Sequence, residues 1–178
     1  MKVNNLIYTL GILILISCST TKAIKIPCSN VKSDKDYFRA NQSANSQDLA
    51  NSRDMALFAA KDRLAGLINT KMKNVSQRYI GDRKIANKSE FNQKFESMTR
   101  SIVDQTLLDV NITCEKTELN KKDNNYSTYI AIECSKETIY NGVNKGLSND
   151  QKLRQDYDAM KFKEIFDDEM EKLEKEQP

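Results

Sequence analysis

The residues of this 178-residue chain that could do chemistry are four cysteines and a few clustered carboxylates, because histidine is absent. A cysteine nucleophile normally relies on histidine as its base. Glu133 directly precedes Cys134, and Asp167–Glu169 is a run of three acidic residues. Successive residues of a helix point in different directions, so this run cannot converge on one metal ion. We therefore expect no catalytic residue, no metal site and no cofactor.

The first cysteine, Cys18, ends an apolar segment that is too short to span a membrane. The run LIYTLGILILI, Leu6–Ile16, has 11 residues, whereas a spanning helix needs about 20. It therefore has the character of a signal-peptide core. Leu15–Cys18, LISC, resembles the bacterial lipobox, in which an aliphatic and a small residue precede a cysteine that takes a diacylglycerol. The resemblance implies that residues 1–17 are a cleaved signal peptide and that Cys18 is the lipidated N-terminus.

Acyl chains on Cys18 would anchor the protein to a bilayer without a membrane-spanning segment. In the enterobacterial sorting rule, Asp after the cysteine retains a lipoprotein in the inner membrane, and Ser19 stands there instead. Ser19–Ala23 also contains no acidic run of the kind that some bacteria use for surface export. We therefore expect an outer-membrane lipoprotein that faces the periplasm.

The charge composition argues against nucleic acid as a ligand. The chain has 28 basic and 25 acidic residues, a net charge of +3, and the two signs are interspersed. Nucleic-acid binding requires a segregated basic surface. Five glycines and two prolines favour long helices over a turn-rich β-sandwich. The chain length fits one domain.

Two helices are predicted before the middle of the chain. Apolar residues recur every three or four positions over Asp48–Tyr79, which indicates one face of a long amphipathic helix. Gly81 is expected to end it. After a polar loop, Ser89 is the predicted N-cap of a second helix, which ends near Gln105.

Alternating residues predict a small sheet. A short strand is expected at Asp36–Ala44, and a β-hairpin is expected from the alternation in Val110–Cys114 and Ile130–Cys134 around an Asn/Asp-rich turn at residues 120–125. A last helix is predicted from a capping box at Ser148–Gln151 to about Lys175.

Together these elements give an α+β fold of order β-α-α-β-β-α, in which two or three helices cover one face of a small antiparallel sheet. Residues 18–34 show no sustained period and are expected to be a lipidated tether to a single domain, 35–178.

The hairpin register argues against a Cys114–Cys134 disulfide. If even-numbered residues are buried and Ile112 lies opposite Ile132, then Cys114 lies opposite Ile130. Cys114 and Cys134 would then share a face but lie four residues apart along the strands, which is roughly 14 Å. A disulfide tolerates a Cα separation of up to about 7 Å.

Cys28, in the expected tether, could reach either hairpin cysteine, and an oxidising compartment permits the bond. We therefore expect a disulfide of Cys28 with Cys114 or with Cys134. The alternative is that both hairpin cysteines are small buried hydrophobic residues.

These motifs together resemble the LPP20-type lipoprotein family over about residues 35–145. They are the lipobox, the segment DYFRANQSANSQDLANSRDMALFAAKDRLAGLINTKMKNVSQRY, and the later hairpin LLDVNITCEKTE with NNYSTYIAIECSKETI. The C-terminal helix looks like versions from Bacteroides-type bacteria. The resemblance implies a small domain in the bacterial envelope and brings no catalytic residues with it.

The expected function is therefore that of a non-catalytic envelope lipoprotein. Its partners would be the bilayer, through acylated Cys18, and an envelope protein that the sequence does not identify, with no nucleic acid or small-molecule substrate. The alternatives are a periplasmic enzyme of unknown reaction and an oligomerisation module that uses the C-terminal helix.

Overall fold

The computed structural model describes residues 25–176, so the predicted signal peptide and Cys18 lie outside the described residues. The elements in chain order are β1 (Tyr37–Ser46), α1 (Leu49–Asp82), α2 (Lys88–Leu108), β2 (Asn111–Asn120), β3 (Asn125–Ser135), α3 (Lys136–Asn149) and α4 (Ala159–Glu176), with a 3-10 turn at Leu153–Gln155. The predicted α+β class is confirmed, with one helix more than predicted.

The three strands form one antiparallel sheet in the order β1-β3-β2. Helix α1 packs across one face of the sheet, and α2 and α4 pack against α1. We call the face toward the helices the inner face. Phe38, Ile130 and Ile132 point to it and are completely buried. Most of the hydrophobic core therefore lies on one side of the sheet.

The predicted long helix is confirmed, with small differences at its ends. The Asp48 carboxylate accepts a hydrogen bond from the backbone N–H of Asn51, 2.7 Å away, and so caps the first turn of α1. Ala56 and Ala60 are fully buried, and their small side chains allow α1 to lie close to the sheet. Gly81 does not end the helix but lies within its last turn.

The N-cap of helix α2 lies two residues earlier than predicted, and the helix ends three residues later. Asn87, not Ser89, is its N-cap, and the side chain of Asn87 accepts a hydrogen bond from the N–H of Glu90. Asparagine and serine cap helices about equally well, so residue type alone does not distinguish the two positions. The helix continues to Leu108.

The prediction of a single last helix from Ser148 was wrong, because the chain forms α3 before that point. The side chain of Ser135 caps α3, and Ser148 lies in its last turn. Gly142 lies against α2, where an added Cβ would come within 2.9 Å of the Ile102 side chain, and a Cβ added at Gly146 would come even closer to the sulfur of Met98. Glycine lowers helix propensity, but here it allows two helices to pack closely.

A β-bulge changes the predicted hairpin register. Ile112 lies opposite Ile132 as predicted, but the register shifts between Ile112 and Cys114. Cys114 therefore lies opposite Ala131 and not opposite Ile130. One extra residue turns the following side chains to the other face of the sheet, so Cys114 points away from the helices.

Candidate functional site: the strap and the adjacent groove

Residues 26–34, which we call the strap, lie on the outer face of the sheet, opposite the helices. A disulfide joins Cys28 to Cys114, with the two Cα atoms 5.7 Å apart. Of the two pairings that the sequence left open, the structure contains the one with Cys114, while Cys134 is a free, buried thiol. Cys28 is only 5% exposed, so the disulfide is packed into the domain.

Polar contacts from Arg39 extend this attachment along the strap. The guanidinium donates a hydrogen bond to the carbonyl of Lys32, 3.0 Å away, and forms ion pairs with Asp34 and with Glu133 on the neighbouring strand. Burial alone would raise the pKa of Asp34, but the hydrogen bond from Arg39 and those from two backbone N–H groups hold it below its ordinary value. Residues 26–34, which were expected to form part of the tether, are therefore attached to the domain.

The strap leads into the rim of an open groove between the start of β1, the N-terminal turn of α3 and α4. The groove has a volume of about 640 Å³. It is lined by Lys35, Asp36, Tyr37, Ser135, Lys136, Glu137, Tyr140, Asn141, Lys163, Phe166, Asp167, Met170, Glu171 and Glu174. Five of these side chains are acidic and three are basic, so the groove suits a polar partner with a positive segment better than an anion.

Lys136 is the most unusual residue of the groove, because its charged side chain is only 3% exposed. Its ammonium donates a hydrogen bond to the carbonyl of Met170, 3.3 Å away, and lies 5.6 Å from the centre of the Phe38 ring. No salt bridge to Lys136 is present among the described residues. Burial lowers the pKa of Lys136, although the nearby carboxylates of Glu174, Asp34 and Asp36 oppose this effect. The sequence contained no pattern that indicated this lysine.

The side chains of the neighbouring residues Cys134 and Glu133 point to opposite faces of the sheet. Cys134 lies on the inner face and is 5% exposed, whereas the carboxylate of Glu133 pairs with Arg39 on the outer face. Burial raises the pKa of the Cys134 thiol to about 11. The thiol is therefore protonated at neutral pH, and a protonated thiol is a poor nucleophile.

The acidic run Asp167–Glu169 is likewise divided among separate partners. Asp167 pairs with Lys163, whereas Asp168 and Glu169 both pair with Arg78 of α1. Burial alone would raise the pKa of Glu169, but hydrogen bonds from Lys172 and Arg78 hold it below its ordinary value. Within residues 25–176, no three His, Cys, Asp or Glu side chains are grouped so that they could hold a metal ion.

The apolar side of α4 packs on its own domain. Phe162, Ile165, Phe166, Met170 and Leu173 are all at most 5% exposed. Ion pairs from Arg78 and from Lys71, which contacts Glu176, fix the acidic side of α4 on α1. Met160, in the first turn of α4, is the exception, at 86% exposed. This arrangement leaves the C-terminal helix little exposed apolar surface with which to form an oligomer interface.

No protein-family model and no curated protein matches this chain. The resemblance to LPP20-type lipoproteins therefore stays a prediction. Over the part of the chain that the structure describes, no helix is both long enough and apolar enough to cross a bilayer.

Proposed function

We propose that this protein is a lipid-anchored protein of the bacterial envelope whose domain is a non-catalytic binding or assembly module. The observation that carries the proposal is the short distance along the chain between the lipobox cysteine and the disulfide. Cys28 is ten residues after Cys18 and is covalently fixed to β2 through Cys114. Ten extended residues span at most about 36 Å, so acyl chains on Cys18 would keep the outer face of the sheet near the bilayer.

The disulfide also determines where the anchor would leave the domain. Without it, only hydrogen bonds and ion pairs would hold the strap, and a pull on the tether could separate it from the sheet. With it, the anchored chain emerges beside β2, while the groove lies further along the strap at Lys35–Tyr37. The groove would then stay within reach of other proteins of the same membrane.

We propose that the groove binds a positively charged segment of an envelope protein. Asp36, Glu137 and Glu174 supply negative charge at its rim, and Tyr37 and Tyr140 supply aromatic surface. The dispersed candidate groups, Cys134 and Asp167–Glu169, supply no assembled catalytic centre. We place the protein on the outer membrane, facing the periplasm, as the residues after Cys18 indicate.

The anchor is tested by Cys18→Ala in the full chain, with metabolic labelling by a fatty acid such as palmitate. The variant should lose the label and accumulate as uncleaved precursor, because no thiol remains to accept the diacylglycerol. Cys134→Ala is the matched control and should keep the label. Equal labelling of the wild type and Cys18→Ala would refute the anchor.

The binding role is tested by a photo-crosslinking amino acid at Asn141, an exposed residue of the groove. A discrete adduct should form in intact cells and should weaken when Glu137 and Glu174 are changed to lysine. The same amino acid at Lys122, in the exposed hairpin turn, is the control. Equal adducts at both positions, or none at Asn141, would contradict a binding role for the groove.

A further inference from the structure

Strand β2 lies at one edge of the sheet. It is paired with β3 on one side, and no other strand pairs with its free edge within the described residues. All residues of Glu115–Asn120 are exposed. An edge strand presents unpaired backbone N–H and C=O groups that can bind another strand. The question is whether the side chains of β2 reject a second strand or select one.

The charges on β2 select a particular partner. Lys116 and Glu118 both point to the outer face, opposite Tyr129 and Ser127 of β3. Neither has an ion-pair partner among the described residues. A lysine on an edge usually opposes unspecific pairing, but a lysine and a glutamate two residues apart can each meet the opposite charge on an antiparallel copy of the same strand.

We propose that two copies of this chain join through β2, in antiparallel register centred on Thr117, to form one continuous six-stranded sheet. A two-fold axis perpendicular to the sheet keeps the inner faces of both copies on the same side, so opposed residues must share a face. In the register centred on Thr117, Lys116 of each copy lies opposite Glu118 of the other, and Thr117 lies opposite itself. Both kinds of pair stabilise antiparallel strands.

The neighbouring registers are excluded by charge. A shift of the axis by one residue sets Lys116 opposite Lys116 or Glu118 opposite Glu118, and like charges directly opposite each other destabilise a sheet. Registers with the axis between two residues would place an inner-face side chain opposite an outer-face one, which a continuous sheet does not allow.

The same symmetry has a consequence for the anchor, and this step rests on the proposed function. Cys28 is bound to Cys114 on the outer face, three residues and so roughly 10 Å from Thr117. The axis perpendicular to the sheet puts both straps on one side, so both lipid anchors could enter one bilayer. An edge-to-edge contact buries little surface, and confinement to a membrane would raise the effective concentration of the two copies.

The register is tested by Thr117→Cys in the full chain, in cell membranes and as purified protein at high concentration. Directly opposed residues have Cα atoms about 4.5–5.5 Å apart, within the range of a disulfide. A disulfide-linked dimer should therefore appear on a non-reducing gel. Leu119→Cys is the matched control on the same face, because its two copies would lie roughly 14 Å apart and should not link.

The charges are tested in the Thr117→Cys background. Lys116→Glu or Glu118→Lys alone should lower the linked dimer about tenfold, because each turns two attractive pairs into repulsive ones. The double variant Lys116→Glu with Glu118→Lys should restore it. An unfolding curve for each variant confirms that the domain is folded.

Several outcomes would overturn the dimer. These are no linked dimer in either preparation, equal linking through Leu119→Cys, no restoration by the double variant, or a linked product with another protein. Fatty-acid labelling of Cys18 in the same cells separates the two proposals. A labelled monomer rejects the dimer and retains the anchor, whereas an unlabelled chain that still links through position 117 does the reverse.

Discussion

The two faces of the sheet are held by different forces. On the inner face, Ile130 and Ile132 are completely buried against helices that contribute more than a dozen further buried apolar side chains. On the outer face, Ala131 is also completely buried, but its cover is a strap of nine residues held by one disulfide, Cys28–Cys114, and the contacts of Arg39. One face is stabilised by apolar burial, and the other by a covalent bond and charges.

The difference follows from how much chain is available for each face. Burial of apolar surface stabilises in proportion to its area, and α1 alone supplies seven buried apolar or aromatic side chains along its length. A strap of nine residues cannot bury enough surface to offset the entropy of ordering it. A cross-link removes part of that entropy cost, and the outer face should therefore respond to reductant and to charge, whereas the inner face should not.

The largest effect is expected on the inner face. Ile132→Ala should lower the free energy of unfolding by about 4 kcal/mol, because it leaves a cavity in a fully buried site. Tyr129→Ala on the outer face of the same strand should cost less than about 1 kcal/mol. Urea unfolding of both variants measures the difference. Equal losses would mean that the two faces are not distinct in their packing.

Removal of the disulfide should have the next largest effect. The bond closes a sequence separation of 86 residues, and Cys28→Ser with Cys114→Ser should destabilise the domain by about 3 kcal/mol. Trypsin should then cleave at Lys32 in the native protein, because the strap is released while the inner face stays folded. Reductant should reproduce the effect.

Cys134→Ala is the control for that experiment, because Cys134 is not bonded. This variant should remain sensitive to reductant. If the double cysteine variant kept the stability of the wild type and resisted trypsin at Lys32, polar contacts alone would suffice to hold the strap.

Charge should matter less than the cross-link. Arg39→Gln removes ion pairs to Asp34 and to Glu133, whose side chain is 13% exposed, and should cost about 1 kcal/mol at neutral pH, and less at high salt. The pKa of Asp34 is lowered in the fold, from an ordinary value of 3.8. Its contribution to stability is therefore fully present at a pH above 3.8 and is lost as the pH falls through the lower pKa of the folded state. The difference between the variant and the wild type should shrink accordingly in acid.

Arg53→Gln provides the matched control for Arg39. Its pair with Glu115 is more exposed, at 43% and 34% for the two side chains, and exposed pairs contribute little. Denaturation at several pH values should show a loss of no more than about 0.5 kcal/mol. A larger loss for Arg53 than for Arg39 would contradict the view that the strap is where charge contributes most.

The elements on the inner face were predictable because they repeat a pattern. The period of α1 and the alternation of β2 and β3 extend over many residues, so several side chains indicate the same face. The missed helix α3 shows where this fails. Gly142 and Gly146 lower the helix propensity of this segment. Glycine is needed there because α3 packs closely against Met98 and Ile102 of α2, and the local sequence gives no indication of those contacts.

The candidate site was less predictable because its geometry depends on single residues. One bulge at Thr113 moves Cys114 to the outer face, and no residue type marks it. The strap has no period, since its order comes from a bond to a residue 86 positions away. Features that depend on residue type alone were easier to predict from the sequence. A disulfide of Cys28 with a hairpin cysteine was expected, although the choice between Cys114 and Cys134 stayed open.

The smallest expected effect concerns Lys136, a charged residue buried where the core meets the groove. A buried charge without a salt bridge contributes little to stability or opposes it, so Lys136→Met should change the free energy of unfolding by less than about 1 kcal/mol at neutral pH, in the stabilising direction. The pKa of Lys136 is lowered in the fold. Between that value and the ordinary 10.5, the unfolded state binds more protons, so wild-type stability should rise with pH and the advantage of the variant should shrink.

Lys35→Met is the control, because Lys35 is a groove residue whose side chain is 79% exposed, and it should leave stability unchanged at every pH. A clear loss of stability in Lys136→Met would show that the bond to the Met170 carbonyl and the contact with Phe38 outweigh the burial of the charge. A Lys136→Met variant that is more stable than the wild type but no longer forms the adduct at Asn141 would show that Lys136 reduces stability and supports binding. The lysine would then serve the groove and not the fold, which is the strongest sign of a binding site that this domain could give.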